Sequence, residues 1–391
     1  MSGADVVIVG GGAVGAACAW GLKALEGFQG RVVVLERDPS HARASTALSA
    51  AAIRLQFTTP VNIALSRFGL ELIRDFPARM ATGAGPGPDL GLIEGGYLFL
   101  AGDGAQASAL EAAAEVQRGE GVATESLSPR EIAARFPWLR VEDLAGGTFL
   151  REGQGWFDNM GLLRGFREAA RAAGAEFLAA EAVSVEVAGG AVTGVWLADG
   201  GRIAAPVVVN AAGAAAGALA AASGLSLPVT ARKRTVFVFD AASPPLGAPL
   251  TIDPSGCWCR PEGAGFIGAA PPEPDPDVAL DDFEPRHGEW EGALWPALAA
   301  RSAAFEALKL RGWWAGHYEW SPDQNGFVGP HPEAPGLLCA AGFSGHGLQH
   351  AAGVGRGIAE WVVHGGWRSI DLAPLAPARM GAAEAVEGAV I

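Results

Sequence analysis

The chain has 391 residues, half of them hydrophobic and 18% charged, which suits two well-buried domains and excludes a disordered polymer. Its 42 acidic residues against 28 lysines and arginines leave a net charge of −14, which argues against nucleic acid as a partner, because phosphate neutralisation needs clustered cations. No apolar run reads as a membrane span and the first strand begins near residue 5, so the expectation is a soluble, cytoplasmic protein with no signal peptide.

The opening segment, residues 5–37, carries the strongest local signal. An apolar strand from Val6 to Val9 enters a glycine-rich turn. A helix of small residues follows, and a second apolar strand, Val32 to Leu35, ends at Glu36. Gly10, Gly12 and Gly15 fit G-x-G-x-x-G. Gly10 would make the tight turn, Gly12 would admit a pyrophosphate to the backbone, and Gly15 would let helix and strand pack closely. The helix N-terminus would offer its N–H groups to the phosphates. Glu36 stands where a carboxylate can accept both ribose hydroxyls of an adenosine.

Residues 45–57 read as a loop or short helix and 61–76 as a helix. A Gly/Pro-rich break at 81–91 precedes a strand at 96–100 and a surface helix at 105–118. Ser128, Pro129 and Glu131 spell a capping box for a further short helix. Asp158 is placed to cap a helix running to Ala173. Gly189 and Gly190 join strands at 181–187 and 191–197 as a hairpin. Val207 to Asn210 is wholly apolar until its last residue and belongs in the same parallel sheet as the opening unit. Residues 229–270 alternate strands and turns, 271–277 is a rigid proline-rich loop, and helices are expected over 281–308. From 313 to 366 the order reads strand, proline-rich loop, strand, glycine-rich turn, long helix. About the last twenty residues are Ala/Pro-rich and are expected to be loosely held.

Within that last stretch, Leu337 to Ala341 is strand-like, Gly342, Gly345 and Gly347 make a bend, and a helix starts near Leu348. This is a second strand–turn–helix anion receptor. The nucleotide-binding part therefore reads as discontinuous. Residues 1–80, 145–222 and 313–391 form one domain, and 81–144 and 223–312 form the second. The four cysteines, Cys18, Cys257, Cys259 and Cys339, are too few and scattered for a disulfide framework. Neither Cys257 with Cys259 nor His346 with His350 has enough grouped ligands to hold a metal, and none is expected.

The motifs VVIVGGGAVG (6–15), STALSAAAIRLQF (45–57), VVNAAG (208–213), SPDQNGFVGPHPE (321–333) and GFSGHG (342–347) together resemble the FAD-dependent amine oxidoreductases of the D-amino-acid oxidase superfamily. The likeness is greater to the branch holding monomeric sarcosine oxidase, glycine oxidase and dimethylglycine-type enzymes. It implies an α/β fold: a Rossmann-type, glutathione-reductase-like FAD-binding domain with a discontinuous second α+β substrate domain on a mainly antiparallel sheet. It also implies that FAD meets Gly10, Gly12, Ala13, Val14, Gly15, Glu36 and Arg37. Ser45 and Thr46 would lie near the pyrophosphate or flavin edge, Val183 would reach the adenine through its backbone, and Ala211, Ala212 and Gly213 would approach the diphosphate and ribityl region. Gly342, Phe343, Ser344, Gly345, His346, Gly347 and Leu348 would wrap the flavin O2 side.

Two departures bear on the chemistry. The sarcosine oxidase relatives tether the flavin through a cysteine two residues before the Tyr of a Y-x-x-[ST]-P-D motif. Here that Tyr is Tyr318 and the position holds Gly316, so non-covalent FAD is expected. Those relatives also carry an oxygen-activating lysine, and the comparable segment 261–270 has none, which leaves oxidase and dehydrogenase equally open, with O2 or another acceptor taking the electrons. Arg54 is the candidate for a substrate carboxylate, since a guanidinium recognises one bidentately. Gln349 stands where the relatives have a carboxylate-binding lysine, and Arg260 could supply a replacement charge. His350 and Tyr318 are candidate pocket residues. The expected activity is oxidation of a C–N bond in a small amino acid or secondary or tertiary amine by hydride transfer to flavin N5. A 2-hydroxy-acid dehydrogenase of the same fold and a low-turnover flavoprotein assembly factor, the latter from a subgroup likeness in segments 45–57 and 342–349, are the alternatives. Oligomeric state is left open.

Overall fold

The structure, a computed structural model, describes residues 3–381 and 386–388. The opening unit folds as strand Val6–Val9, helix Ala13–Trp20 and strand Val32–Glu36. All four residues of the first strand are buried, as a central parallel strand covered on both faces requires. It pairs in parallel with Val32–Glu36 on one side and Val207–Asn210 on the other. The full six-stranded sheet runs 327–331, 334–341, 207–210, 6–9, 32–36, 176–179 in spatial order. Its strands are parallel except for the edge pair 327–331 with 334–341. Helices Ala13–Trp20, Asn159–Ala172 and Gly347–His364 supply much of one apolar layer over it.

A second, eight-stranded sheet takes the strands 308–320, 230–241, 265–269, 258–262, 250–252, 97–101, 146–150 and 125–127 in that order. It is antiparallel apart from the 250–252/97–101 pair. Alternation along Thr230–Ala241 sets its two faces. Phe237 and Phe239 join Phe266, Trp290 and Phe305 in one cluster, while Val236 and Val238 pack with Tyr97, Trp156 and Trp258 in another. The 13-residue strand Leu308–Trp320 lies in this sheet, and the boundary expected at 313 falls inside it.

The Ser128 capping box and the Asp158 cap form as read, with Ser128 accepting from the Glu131 N–H and Asp158 from the Gly161 N–H. Four local expectations need correction. Within 45–57 a two-residue strand, Ala52–Ile53, pairs with Gly155–Trp156. Over 281–308 helical structure begins only at Gly288, because Pro285 disfavours helix at its preceding residue and Asp282 is drawn to Lys233 Nζ at 2.6 Å. The loop expected around Pro330 contains the strand Phe327–His331, an edge strand whose open side needs no N–H from proline.

The fourth is the C-terminal stretch, whose described residues are tightly held. Arg379 is buried and bonds Asp323 Oδ2 at 2.7 Å and the Asn325 carbonyl at 2.8 Å. Glu387 is fully buried at the N-terminus of helix Pro60–Arg74. Its carboxylate accepts from the Thr58 and Thr59 N–H groups at 2.9 and 3.1 Å, both threonine hydroxyls at 2.6 and 2.8 Å, and Asn62 Nδ2 at 3.0 Å. Burial pushes the carboxyl up, but these hydrogen bonds outweigh it and hold Glu387 below the usual carboxylate range. A depressed folded-state value gives stability that is present above the unfolded value of about 4.3 and lost as pH falls through the folded one. Glu387→Gln is therefore expected to cost about 2 kcal/mol at pH 7, with the gap to wild type shrinking in acid. Thermal melts of both proteins at pH 7 and pH 4 check this. An equal gap at the two pH values would show that the charge contributes nothing.

Candidate active site

Two cavities lie against each other between the sheets. The first is about 320 Å³ and the second about 380 Å³. Ala13, Val14, Ser45, Thr46, His317 and Glu319 line both, so the two form one continuous groove.

The second cavity is built on the opening unit. Gly10 has φ +99°, and a Cβ there would overlap the Ala211 carbonyl oxygen and lie 2.8 Å from its carbon, so only glycine makes this turn. Glu36 accepts from the Gly11 N–H at 2.9 Å and from the Asp38 N–H at 2.9 Å, which fixes its carboxylate at the cavity wall. Thr46 Oγ1 accepts from the Ala13 N–H at 3.0 Å, and Ser45 Oγ donates to the His317 carbonyl at 2.8 Å. These bonds bind segment 45–57 to the first helix turn on one side and to strand Leu308–Trp320 on the other. Gly12, Arg37, Val183, Ala211, Ala212 and Gly213 also line this cavity. Gly15 lies behind it, packed against the Gly10 carbonyl.

The first cavity is floored by the glycine turn 342–347. Ser344, Gly345, His346, Gly347, Leu348 and Gln349 line it, whereas neither Gly342 nor Phe343 does. Phe343 is buried beneath the turn. A Cβ on Gly345, at φ +99°, would overlap the Tyr318 ring, so the missing side chain seats that ring in the wall. The other walls include Tyr97, Val236, Leu250 and Trp258 from the eight-stranded sheet. Burial pushes the Tyr97 phenol up to about 12 and raises Tyr318 as well, so both stay protonated at neutral pH.

Arg54 is 4% exposed and lines this cavity. Its guanidinium carbon sits 4.3 Å from the centre of the Phe57 ring, and its N–H donates to Gln349 Oε1 at 2.9 Å. Gln349 thus holds the arginine's backbone. Burial lowers the Arg54 pKa, the neighbouring tyrosines and Glu387 counter it in part, and a guanidinium stays protonated regardless. Arg234 enters from the opposite sheet, paired with Asp275 at 2.7 and 2.9 Å. Arg260 does not line the groove. It is taken by Glu262 and by the Ala50 and Pro261 carbonyls, with its guanidinium over Trp156.

The two histidines divide. His346 lines the first cavity, and burial drives its pKa down to about 3, so its imidazole is neutral and a weak proton acceptor. His350 lines neither cavity. Its Nε2 lies 3.0 Å from Ser66 Oγ and its ring packs on Phe57. Among the described residues no cysteine and no lysine lines the groove. Gly316, at the position of the relatives' tethering cysteine, faces the first cavity, so this route to a covalent link is closed.

Three wall features escape a reading of the sequence. Leu280 and Phe283 reach the second cavity from loop 271–287, and Phe283 stacks on His317 at 4.2 Å. Asp275 from the same loop reaches the first cavity. Glu319 lines both, and strand alternation from His317 was the available signal for it.

The groove fits a flavin dinucleotide: a glycine cradle that a Cβ would fill, a backbone-held carboxylate at one end, and a second helix N-terminus under a desolvated aromatic chamber at the other. Comparison with known proteins agrees. The profile of the family described as FAD dependent oxidoreductase matches residues 5–361. The chain is 39% identical to FAD-dependent oxidoreductase domain-containing protein 1 of Bos taurus, over 95% of this chain and 83% of that protein. The solved glycine oxidase from Geobacillus kaustophilus superposes with a TM-score of 0.80 at 27% identity, covering 95% of this chain and 98% of that one. L-proline dehydrogenase from P. horikoshii shares the fold with a TM-score of 0.85 at 24% identity, over 98% and 99% of the two chains.

Proposed function

Because this chain belongs to the FAD-dependent oxidoreductase family, with FAD as its cofactor, we propose that it oxidises the C–N bond of a small amino acid or a secondary or tertiary amine. The observation that carries this reading is a buried arginine, Arg54, in the wall of an aromatic chamber continuous with the dinucleotide groove. When bound, FAD supplies the two-electron acceptor for hydride. The turns around Gly10 and Gly345 hold it, and Glu36 takes the adenosine ribose. Arg54 anchors the substrate's carboxylate, while Tyr97, Trp258 and Tyr318 exclude water and orient the C–H to be broken. The substrate nitrogen must arrive unprotonated, since its lone pair stabilises the cation that develops on carbon. No side-chain base at that carbon is required.

Oxidation of a 2-hydroxy acid calls for a base at the hydroxyl. His350, the residue expected for it, is committed to Ser66 outside the cavity, and His346 is too weak a base, so neither histidine fills that role. In this reading the six-stranded sheet and its helices form the cofactor domain and the eight-stranded sheet the substrate domain. No helix among the described residues is long and apolar enough to cross a membrane. The four cysteines are free and buried, which suits a reducing compartment such as the cytoplasm.

Anaerobic addition of N-methyl, cyclic and ordinary amino acids to the purified yellow protein is the direct test. One of these classes is expected to bleach the flavin absorbance, and readmitted air then separates oxidase from dehydrogenase. Flavin that stays oxidised with every amine would overturn the proposal.

A further inference from the structure

Glu319 stands apart from every role assigned above. It is one of six residues that line both cavities, so it sits where the dinucleotide groove meets the aromatic chamber. Its Oε2 accepts from the Gly342 N–H at 2.9 Å, and a Cβ on Gly347 would lie 2.9 Å from its Oε1. The Glu319 carbonyl in turn accepts from the Ser344 N–H at 2.8 Å. The carboxylate is thus fixed to the glycine turn at the N-terminus of helix Gly347–His364. A negative charge at the cofactor's reduced ring is stabilised by that helix end and opposed by an ionised carboxylate beside it.

We propose that Glu319 compensates the charge of cofactor reduction: it takes up one proton from solvent as the bound FAD is reduced and releases it on reoxidation. Reduction by two electrons with one proton leaves one added negative charge in the groove. Conversion of the Glu319 carboxylate to the acid removes one, so the total charge of the site is unchanged. No other bond forms or breaks, and the electrons come from the substrate or from any chemical reductant.

The surroundings poise the group for this. Burial pushes the Glu319 carboxyl up to about 7, with the Gly342 N–H pulling it back, so a nearby added charge moves it between ionised and neutral in the physiological range. Among the described residues no cation forms an ion pair with its carboxylate. On its own strand His317 shares its face, with Nε2 on the Asp282 carbonyl. On the neighbouring strand its register partner is Ala231, and Lys233 beyond is taken by Asp282. The turn and helix bring His346 and His350, both held neutral by burial. Arg54, Arg234, Asp275, Tyr97 and Tyr318 line the first cavity with it, and Glu36, Arg37, Arg43 and Glu181 line the second, none of them paired with its carboxylate.

The inference rests on FAD occupying the groove and not on which amine is oxidised, so the test uses photochemical reduction without substrate. Midpoint potentials of the FAD-loaded protein are measured from pH 6 to 9 against reference dyes. Wild type is expected to take two protons per two electrons around pH 8, and Glu319→Gln only one, so that the slope of potential against pH halves. Glu319→Asp should restore the wild-type slope in part. Equal slopes for wild type and Glu319→Gln would overturn the proposal. Should the variant fail to fold, proton uptake by wild type in weakly buffered indicator dye decides: one proton rather than two at pH 8 also overturns it.

Discussion

Gly15→Ala is expected to yield a colourless protein, with FAD affinity lower by about a hundredfold or more. The methyl group would overlap the carbonyl oxygen of Gly10, 3.0 Å from its carbonyl carbon and 3.3 Å from Ile8 Cγ2. Two of these atoms are backbone and cannot swing aside. The turn cannot yield either, because Gly10 is itself pressed against the Ala211 carbonyl and its strand is pinned between two parallel neighbours. The helix must therefore lift from the sheet, carrying its first-turn N–H groups away from the cavity. Overpacking of this kind costs about 1–3 kcal/mol in stability. Misaligned donors to the pyrophosphate cost a further 3 kcal/mol or so in binding, which is about a hundredfold in Kd. Gly12→Ala is the informative control. Its methyl would meet only Thr46 Oγ1, at 3.2 Å, so the protein should fold as wild type and lose affinity only through the side facing the ligand. Thermal melts with fluorescence titration of FAD separate the two cases. A Gly15→Ala protein that binds FAD within threefold of wild type would remove the helix end from the binding account.

The sequence is most legible where a contact is local in the chain. Gly10, Gly15 and Glu36 are read from one β–α–β unit because the atoms they must fit belong to that unit or to the strand beside it. The Ser128 capping box is read for the same reason. Legibility fails where a residue's partner is distant. Nothing near Glu387 indicates that it will end up under Thr58, more than three hundred residues earlier. Phe283 becomes a cofactor-cavity residue only once Lys233 has drawn Asp282 in and His317 offers its ring. Pro330 argues against a strand until the sheet order shows that its strand is an edge. Arg260 and Arg54 look equivalent as cations in the sequence, and only the fold shows that Glu262 and two carbonyls have already taken the first. Glu319 is concealed for a different reason. An acid on an amphipathic strand ordinarily faces water, and here the face that should be wet is the groove.

Arg54→Met should lower kcat/KM for a carboxylate-bearing substrate by about 10²–10³ while leaving the fold intact. Removing one partner of a desolvated, hydrogen-bonded charge pair typically costs about 3–4 kcal/mol, which is that range in rate. The site meets the conditions for the upper end: the guanidinium is buried, stacked on Phe57, and held at its backbone by Gln349, so little of its attraction is screened and little ordering is left to be done on binding. Methionine fills comparable space without a charge, but removing one member of a set of interacting buried groups that includes Glu387 carries its own cost, so some fall in melting temperature is expected. The binding defect is separated from a folding one by assaying both proteins well below their melting temperatures. Arg54→Lys keeps the charge but not the two-pronged donor, and should recover part of the loss. The diagnostic comparison uses the matched methyl ester. Wild type should discriminate strongly against it, and Arg54→Met should treat acid and ester nearly alike, because the only group the substitution removes is the one that reads the carboxylate. If Arg54→Met retains wild-type preference for the acid, the carboxylate is bound elsewhere, and Arg234 with Asp275 on the opposite wall becomes the group to change next.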